Sequence, residues 1–164
     1  MRLSPQTPFI ALLCLVLSGC GYNLAGGAPS VLGDGSATIY VAGLEQPTVL
    51  PWVSHILRSS LREEMAARNL AVWKEDAPAD FALYLRVEQF TMRGAVKSSA
   101  DANLLYTGSV SVIAIIHRAG DNAEVWRTRA DYSNTFETDA EESAADLLFK
   151  QAARILAGNM RRAF

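Results

Sequence analysis

Two stretches of alternating residues, separated by a five-residue turn, constrain this chain more than anything else in it. From Tyr106 the residues Gly108, Val110, Val112, Ala114 and Ile116 occupy every second position, and Arg118-Ala119-Gly120-Asp121-Asn122 then supplies turn chemistry. The return run places Trp126, Thr128, Ala130, Tyr132 and Phe136 on one face and Arg127, Arg129, Asp131 and Ser133 on the other. Period-2 alternation of this length is the pattern of a half-buried strand, so the segment predicts a long antiparallel hairpin with one apolar face that something must cover.

The covering elements are legible on either side. Val53, Ile56, Leu57, Leu61 and Met65 recur at helical spacing from about Trp52, with Arg58, Arg62 and Glu63 opposite and Asn69 as the expected stop. After the hairpin, Ala145, Leu148, Phe149, Ala152 and Leu156 form a second stripe. Asp139 and Glu142 are spaced as a capping box, and Gly158-Asn159 reads as the end. Arg161 and Arg162 would then lie near the negative end of that helix.

Further strands are expected over Ala37–Val41, briefly at Leu70–Trp73, and from Leu83 through Leu85 and Val87 toward Met92. Gly43–Pro51, Ala77–Asp80 and Arg93–Asn103 read as loops. The order predicts an α+β two-layer sandwich, with two helices packed on one face of a four- to five-stranded mixed or antiparallel sheet. A chain of 164 residues, 50% hydrophobic and 20% charged, suits one such domain and excludes a disordered chain.

The first twenty residues are a different kind of sequence. Met1-Arg2 precedes the apolar run Phe9–Leu17, which is too short to span a bilayer as a helix and has the flanks of a secretory signal. Leu17-Ser18-Gly19-Cys20 has the form of a lipobox, in which the Cys20 thiol takes a diacylglyceryl group and small residues admit the peptidase. The expected division is a signal over 1–19, a lipidated N-terminus and tether over 20–36, and a single α+β domain over 37–164. Cleavage would remove Cys14 and one basic residue, Arg2, leaving 145 residues with 14 basic and 17 acidic groups, net −3. Two or three acyl chains on one cysteine anchor stably, where a single chain binds reversibly. Gly21, in place of the Asp that retains such proteins at the inner membrane, implies the outer membrane, periplasmic side.

Charge and chemistry exclude several functions. Fifteen basic residues against seventeen acidic ones exclude a nucleic-acid binder working by bulk charge, and two cysteines exclude a disulfide-stapled scaffold. His55 and His117 have no neighbouring metal-type ligands, Ser54 and His55 diverge on a helix, and Gly33-Asp34-Gly35 lacks the helix and Lys of a phosphate loop. No enzyme activity, cofactor or metal is expected.

Three features carry a binding reading. Arg127 and Arg129 on the hairpin, with Arg93 and Lys97 in the preceding segment, are candidate phosphate contacts against the plainer reading of a solvated strand face. Ile113 and Ile115 interrupt an otherwise polar face and mark a candidate partner surface, unless the first strand or a loop covers them. Trp52, Trp73 and Trp126 read chiefly as core.

The opening Cys20-Gly21-Tyr22-Asn23-Leu24 resembles the Cys-Gly-aromatic-x-Leu start of the lipopolysaccharide-assembly lipoprotein family, LptE (RlpB). The strand Leu105–Val112, the return Trp126–Tyr132 and the closing helix are similar to that family in order, across nearly the whole mature chain. The resemblance implies a plug and assembly factor inside a large outer-membrane β-barrel of the LptD kind, helping to insert lipopolysaccharide into the outer leaflet. The basic residues would then meet lipopolysaccharide phosphates and the hairpin face would meet the barrel. The alternative is a periplasm-facing outer-membrane lipoprotein adaptor, such as an activator of a peptidoglycan synthase. That role needs a long reach, and the 16 residues Gly21–Ser36 extend at most about 50–60 Å.

Overall fold

The structure is a computed structural model that describes residues 30–46, 51–96, 104–138 and 140–162. Strand β1 (Thr38–Glu45) leads through helix α1 (Pro51–Ala67) to the short β2 (Val72–Trp73), then to β3 (Phe81–Val96), β4 (Leu104–Arg118), β5 (Glu124–Thr138) and helix α2 (Glu141–Arg162). The five strands form one mixed sheet in the order β2-β1-β3-β4-β5. Strand β1 lies parallel to both β2 and β3, while β3–β4 and β4–β5 are antiparallel. Both helices cover one face, as the alternation requires, and the α+β sandwich is as expected.

The core lies between helices and sheet. Phe149, Leu57, Leu61, Leu83, Leu85 and Ile116 are among its fully buried side chains. Helix α2 contributes five fully buried alanines, Ala144, Ala145, Ala152, Ala153 and Ala157, so its backbone can approach both the sheet and α1 closely. The expected faces hold: Val110, Val112, Ala114 and Ile116 of β4 and Ala130 of β5 are buried, while Arg127, Arg129, Asp131 and Ser133 are exposed. Trp52, Trp73 and Trp126 pack partly buried against the core.

Helix α1 starts with Pro51, where a missing N–H costs nothing. It stops at Asn69 in the left-handed region (φ 51°). There the Leu70 N–H donates to the Met65 carbonyl (3.0 Å) and the Asn69 N–H to the Ala66 carbonyl (3.1 Å), a Schellman closure with Leu70 and Met65 both buried.

Four boundaries differ from the sequence reading. Strand β1 continues through Gly43 and Leu44 to Glu45, because a bulge between Val41 and Gly43 restores pairing with Tyr84, Leu85 and Arg86. Strand β3 continues through Arg93 to Val96, because β4 extends equally far and pairs Arg93 with Thr107 and Gly94 with Tyr106. A small, polar stretch reads as loop alone and forms strand when a partner ladder is present. Helix α2 runs through Gly158 and Asn159, since Met160 beyond them is fully buried and Asn159 donates to Thr128 Oγ1 (3.1 Å).

The fourth difference is the supposed tether. Residues 30–36 pack on the domain: Ser30 and Leu32 are buried, and the Val31 N–H donates to the Met160 carbonyl near the end of α2 (3.1 Å). Gly35 makes this possible, with a φ of 90° and a position where any Cβ would collide with the Asn69 carbonyl. Asp139 of the expected capping box lies outside the described residues, as do Lys97 and Cys20.

At the same end of the sheet, Asp80 Oδ2 accepts from both the N–H and the hydroxyl of Thr38, each at 2.7 Å, tying the start of β3 to the start of β1. Those hydrogen bonds hold the Asp80 carboxyl below its ordinary range. A depressed folded-state value means stability present above the unfolded-state pKa and lost as pH falls through the folded one. Asp80→Asn is expected to be less stable than the parent at neutral pH, and the gap between the two to close in strong acid. Paired urea titrations at the two pH values check this.

Candidate functional site

Among the described residues the face of the sheet away from the helices is open, and its rows follow from the register. Starting at the hairpin end, Tyr84, Ile115 and Arg127 lie side by side across β3, β4 and β5, and Arg86, Ile113 and Arg129 form the next row. Beyond these the surface turns to small polar groups. Thr91 and Ser109 hydroxyls pair at 2.7 Å, and Thr107 and Thr135 pair at 2.9 Å. Arg93 stands in the Thr107 row.

Ile113 and Ile115 are therefore on the open face, half-buried. Strand β1 does not lie over them, because it pairs in plane with β3. They are flanked instead by the stems of Arg86 and Arg129 and by Tyr84 and Arg127, an arrangement in which long cationic side chains shield apolar surface while their heads stay wet.

The basic set is only partly brought together. Arg127 and Arg129 are neighbours on β5, but Arg93 is six residues farther along the sheet, about 20 Å away at 3.3 Å per residue. The arginines of the hairpin are also occupied. Arg127 holds Glu124 through two nitrogens, at 3.0 and 2.7 Å. Arg129 bridges Asp131 (2.9 Å) and Glu88 (3.0 Å). The hydrogen bonds push both guanidinium pKa values up and both partner carboxyls, Glu124 and Asp131, down. Exposed pairs of this kind are weakened by solvent screening, so an incoming phosphate could displace the carboxylates. Arg93 has no ion-pair partner among the described residues, which leaves its guanidinium available.

A cleft that sequence reasoning missed lies at the hairpin end of this face. It encloses about 300 Å³ and is lined by Tyr84, Arg86, Ile115, His117, Glu124 and Arg127, with Gly43 and Glu45 of β1. The Tyr84 and His117 rings lie 5.1 Å apart at a 55° tilt, and His117 Nδ1 lies 3.2 Å from Asn122 Oδ1. The Tyr84-x-Arg86 alternation was visible in the sequence. Its juxtaposition with Glu45 depends on the β1 bulge, which was not.

The two histidines sit apart in the fold, His55 on α1 and His117 on β4. Ser54 Oγ lies 3.4 Å from Gln46 Oε1 rather than on a histidine. Among the described residues no group of three or more His, Cys, Asp or Glu side chains could hold a metal ion.

The profile of the family described as LptE, lipopolysaccharide-assembly, matches residues 36–164. The chain belongs to the LptE family. A search of curated proteins found no match. Among solved structures, a Chlamydia trachomatis protein shares the fold with TM-score 0.53 and 8% identity, covering 77% of this chain and 96% of that one. A PelC dodecamer from Paraburkholderia phytofirmans aligns with TM-score 0.49 and 17% identity, over 73% and 88% of the two chains. A minor lipoprotein from Acinetobacter baumannii gives 0.41 and 16%, over 77% and 90%. Membership in LptE agrees with the resemblance read from the sequence, and it places the chain in a lipoprotein family of lipopolysaccharide assembly.

Proposed function

We propose that this LptE-family chain is an outer-membrane lipoprotein of the lipopolysaccharide translocon, held at the periplasmic leaflet by acyl chains on Cys20. In this reading it plugs a large β-barrel of the LptD kind, assists that barrel's assembly, and helps pass lipopolysaccharide to the outer leaflet. The observation that carries the reading is the shape and polarity of the open face.

Strands β3, β4 and β5 have 16, 15 and 15 residues, about 50 Å each at 3.3 Å per residue. They continue about 30 Å past the last pairing of β1 at Arg86. A hydrocarbon core is about 30 Å thick, so a body of this length can reach from one leaflet toward the other. Its exposed face is rich in Ser, Thr and paired charges, which suits the polar lumen of a large outer-membrane barrel. Ile113 and Ile115 are apolar contact points on that face, and Arg93, Lys97, Arg127 and Arg129 are cations for lipopolysaccharide phosphates.

The test is a mild-detergent pull-down of the full-length, lipidated protein from native outer membranes. A near-stoichiometric large β-barrel is the expected companion, with photo-crosslinks to it from position 113. Recovery of a cell-wall synthase, or of no barrel, would replace this reading with the adaptor one.

A further inference from the structure

We infer that the cleft beneath Tyr84 is a saccharide-binding site, engaged by the rings of a sugar rather than by a phosphate. The inference takes from the proposed function only the source of the sugar, the carbohydrate part of a glycolipid.

The cleft is built around an exposed ring. Tyr84 is 39% accessible, an exposed aromatic ring beside the half-buried Ile115 on this sheet face. Its position is set from below. A Cβ on residue 43 would stand 3.1 Å from Tyr84 Cδ1, so a glycine there lets the ring lie against β1. The bulge between Val41 and Gly43 falls at the same point, and bulges re-aim side chains in this way. His117 packs against the ring at a tilt, and Ile115 is the adjacent apolar floor.

The polar rim is charged but balanced. Arg86 Nε donates to Glu45 (2.6 Å) on one side of Tyr84, and Arg127 clasps Glu124 on the other. Two cations, Arg86 and Arg127, face two anions, Glu45 and Glu124, around the cleft. An anion finds no unpaired guanidinium here and must displace Glu45 or Glu124 to bind, whereas a hydroxyl can join either pair intact.

A sugar ring has the complementary chemistry. One face presents C–H groups to an aromatic surface, while the hydroxyls around its edge both donate and accept. A paired guanidinium and carboxylate offer donors and acceptors side by side, which hydroxyls satisfy and a phosphate does not. The volume of about 300 Å³ is at the lower end of ligand pockets and fits one or two sugar units.

The experiment is saturation-transfer NMR on the full-length lipidated protein in a sugar-free detergent. The probe is the core oligosaccharide of a rough-type lipopolysaccharide, deacylated and dephosphorylated. Aromatic irradiation is expected to saturate ring C–H protons of the oligosaccharide. Tyr84→Ala should weaken binding about tenfold, while Tyr84→Phe retains it and both variants melt as the parent does. Lys150→Ala, on α2 and away from the cleft, should bind as the parent.

Equal binding by Tyr84→Ala would overturn the inference. So would an absence of transfer, or transfer seen only with the phosphorylated oligosaccharide, which would make the site a phosphate site. A barrel that still co-purifies in those cases leaves the translocon reading standing, so the two failures are distinct.

Discussion

Phe149→Ala is expected to remove about 3–5 kcal/mol of folding stability, a large part of what a domain of this size possesses. Phe149 on α2 is fully buried, and its ring lies 5.3 Å from Phe90 of β3 at an interplanar angle of 31°. Phe90 in turn meets Trp52 of α1 edge-on at 6.1 Å. Three rings thus join both helices to the sheet at a single place. The alanine-rich surroundings make the loss worse. Ala145, Ala152 and Ala153 have no side-chain length with which to relax into the space, so the cavity persists.

Phe149→Leu keeps most of the volume and should cost less than about 1.5 kcal/mol. Guanidinium unfolding of the two variants beside the parent decides the matter. A Phe149→Ala loss under about 1 kcal/mol would mean that the helices are not locked to the sheet through these rings.

Much of this architecture was legible because it depends on local period. The hairpin faces and both helical stripes follow from spacing alone, and burial of Val112 and exposure of Arg129 come directly from alternation. What was not legible depends on partners distant in sequence. Arg93 to Val96 looks like loop until β4 lies beside it, and Gly43 to Glu45 looks like loop until the bulge brings it level with Tyr84. Gly158-Asn159 has the composition of a helix end, yet burial of Met160 and the Thr128 hydrogen bond outweigh a propensity penalty of about 1 kcal/mol at the glycine.

The candidate site divides in the same way. Arg127 and Arg129 belong to one strand, so their common face could be read. Their carboxylate partners were partly in view, since Glu124 and Asp131 lie within three residues. Glu88 was not, because it reaches Arg129 from β3 across the width of β4. Nor could sequence spacing show that Arg93, four residues before Lys97, would stand about 20 Å from the hairpin pair.

Replacing Cys20 by Ala is expected to move the protein almost completely from the membrane fraction to the aqueous phase, with the folded domain intact. Lipid anchoring is worth about 0.8 kcal/mol per buried methylene, and nothing described in the domain substitutes for it. Among the described residues no helix is long and apolar enough to cross a membrane. Detergent phase partitioning of the full-length parent and variant reads the effect, and circular dichroism confirms that the fold survives. Retention of the variant in the membrane fraction would mean that the anchor lies elsewhere.

A flexible insertion before Ser30 tests geometry where Cys20→Ala tests attachment. Ser30 and Leu32 are docked against the domain, and the nine residues 21–29 between Cys20 and Ser30 can span at most about 30–32 Å. That is little more than half the reach expected when residues up to Ser36 were counted as tether. With Cys20 acylated as proposed, the hairpin turn and the Tyr84 cleft, which share the docked segment's end of the fold, would stay within that distance of the leaflet surface plus the depth of the domain's own end. A short leash favours a partner embedded in the same membrane over one in the cell wall. Lengthening it by a flexible insertion before Ser30 should leave membrane partitioning unchanged, whereas Cys20→Ala abolishes it. If both variants lost the barrel partner equally, leash length would matter as much as the anchor.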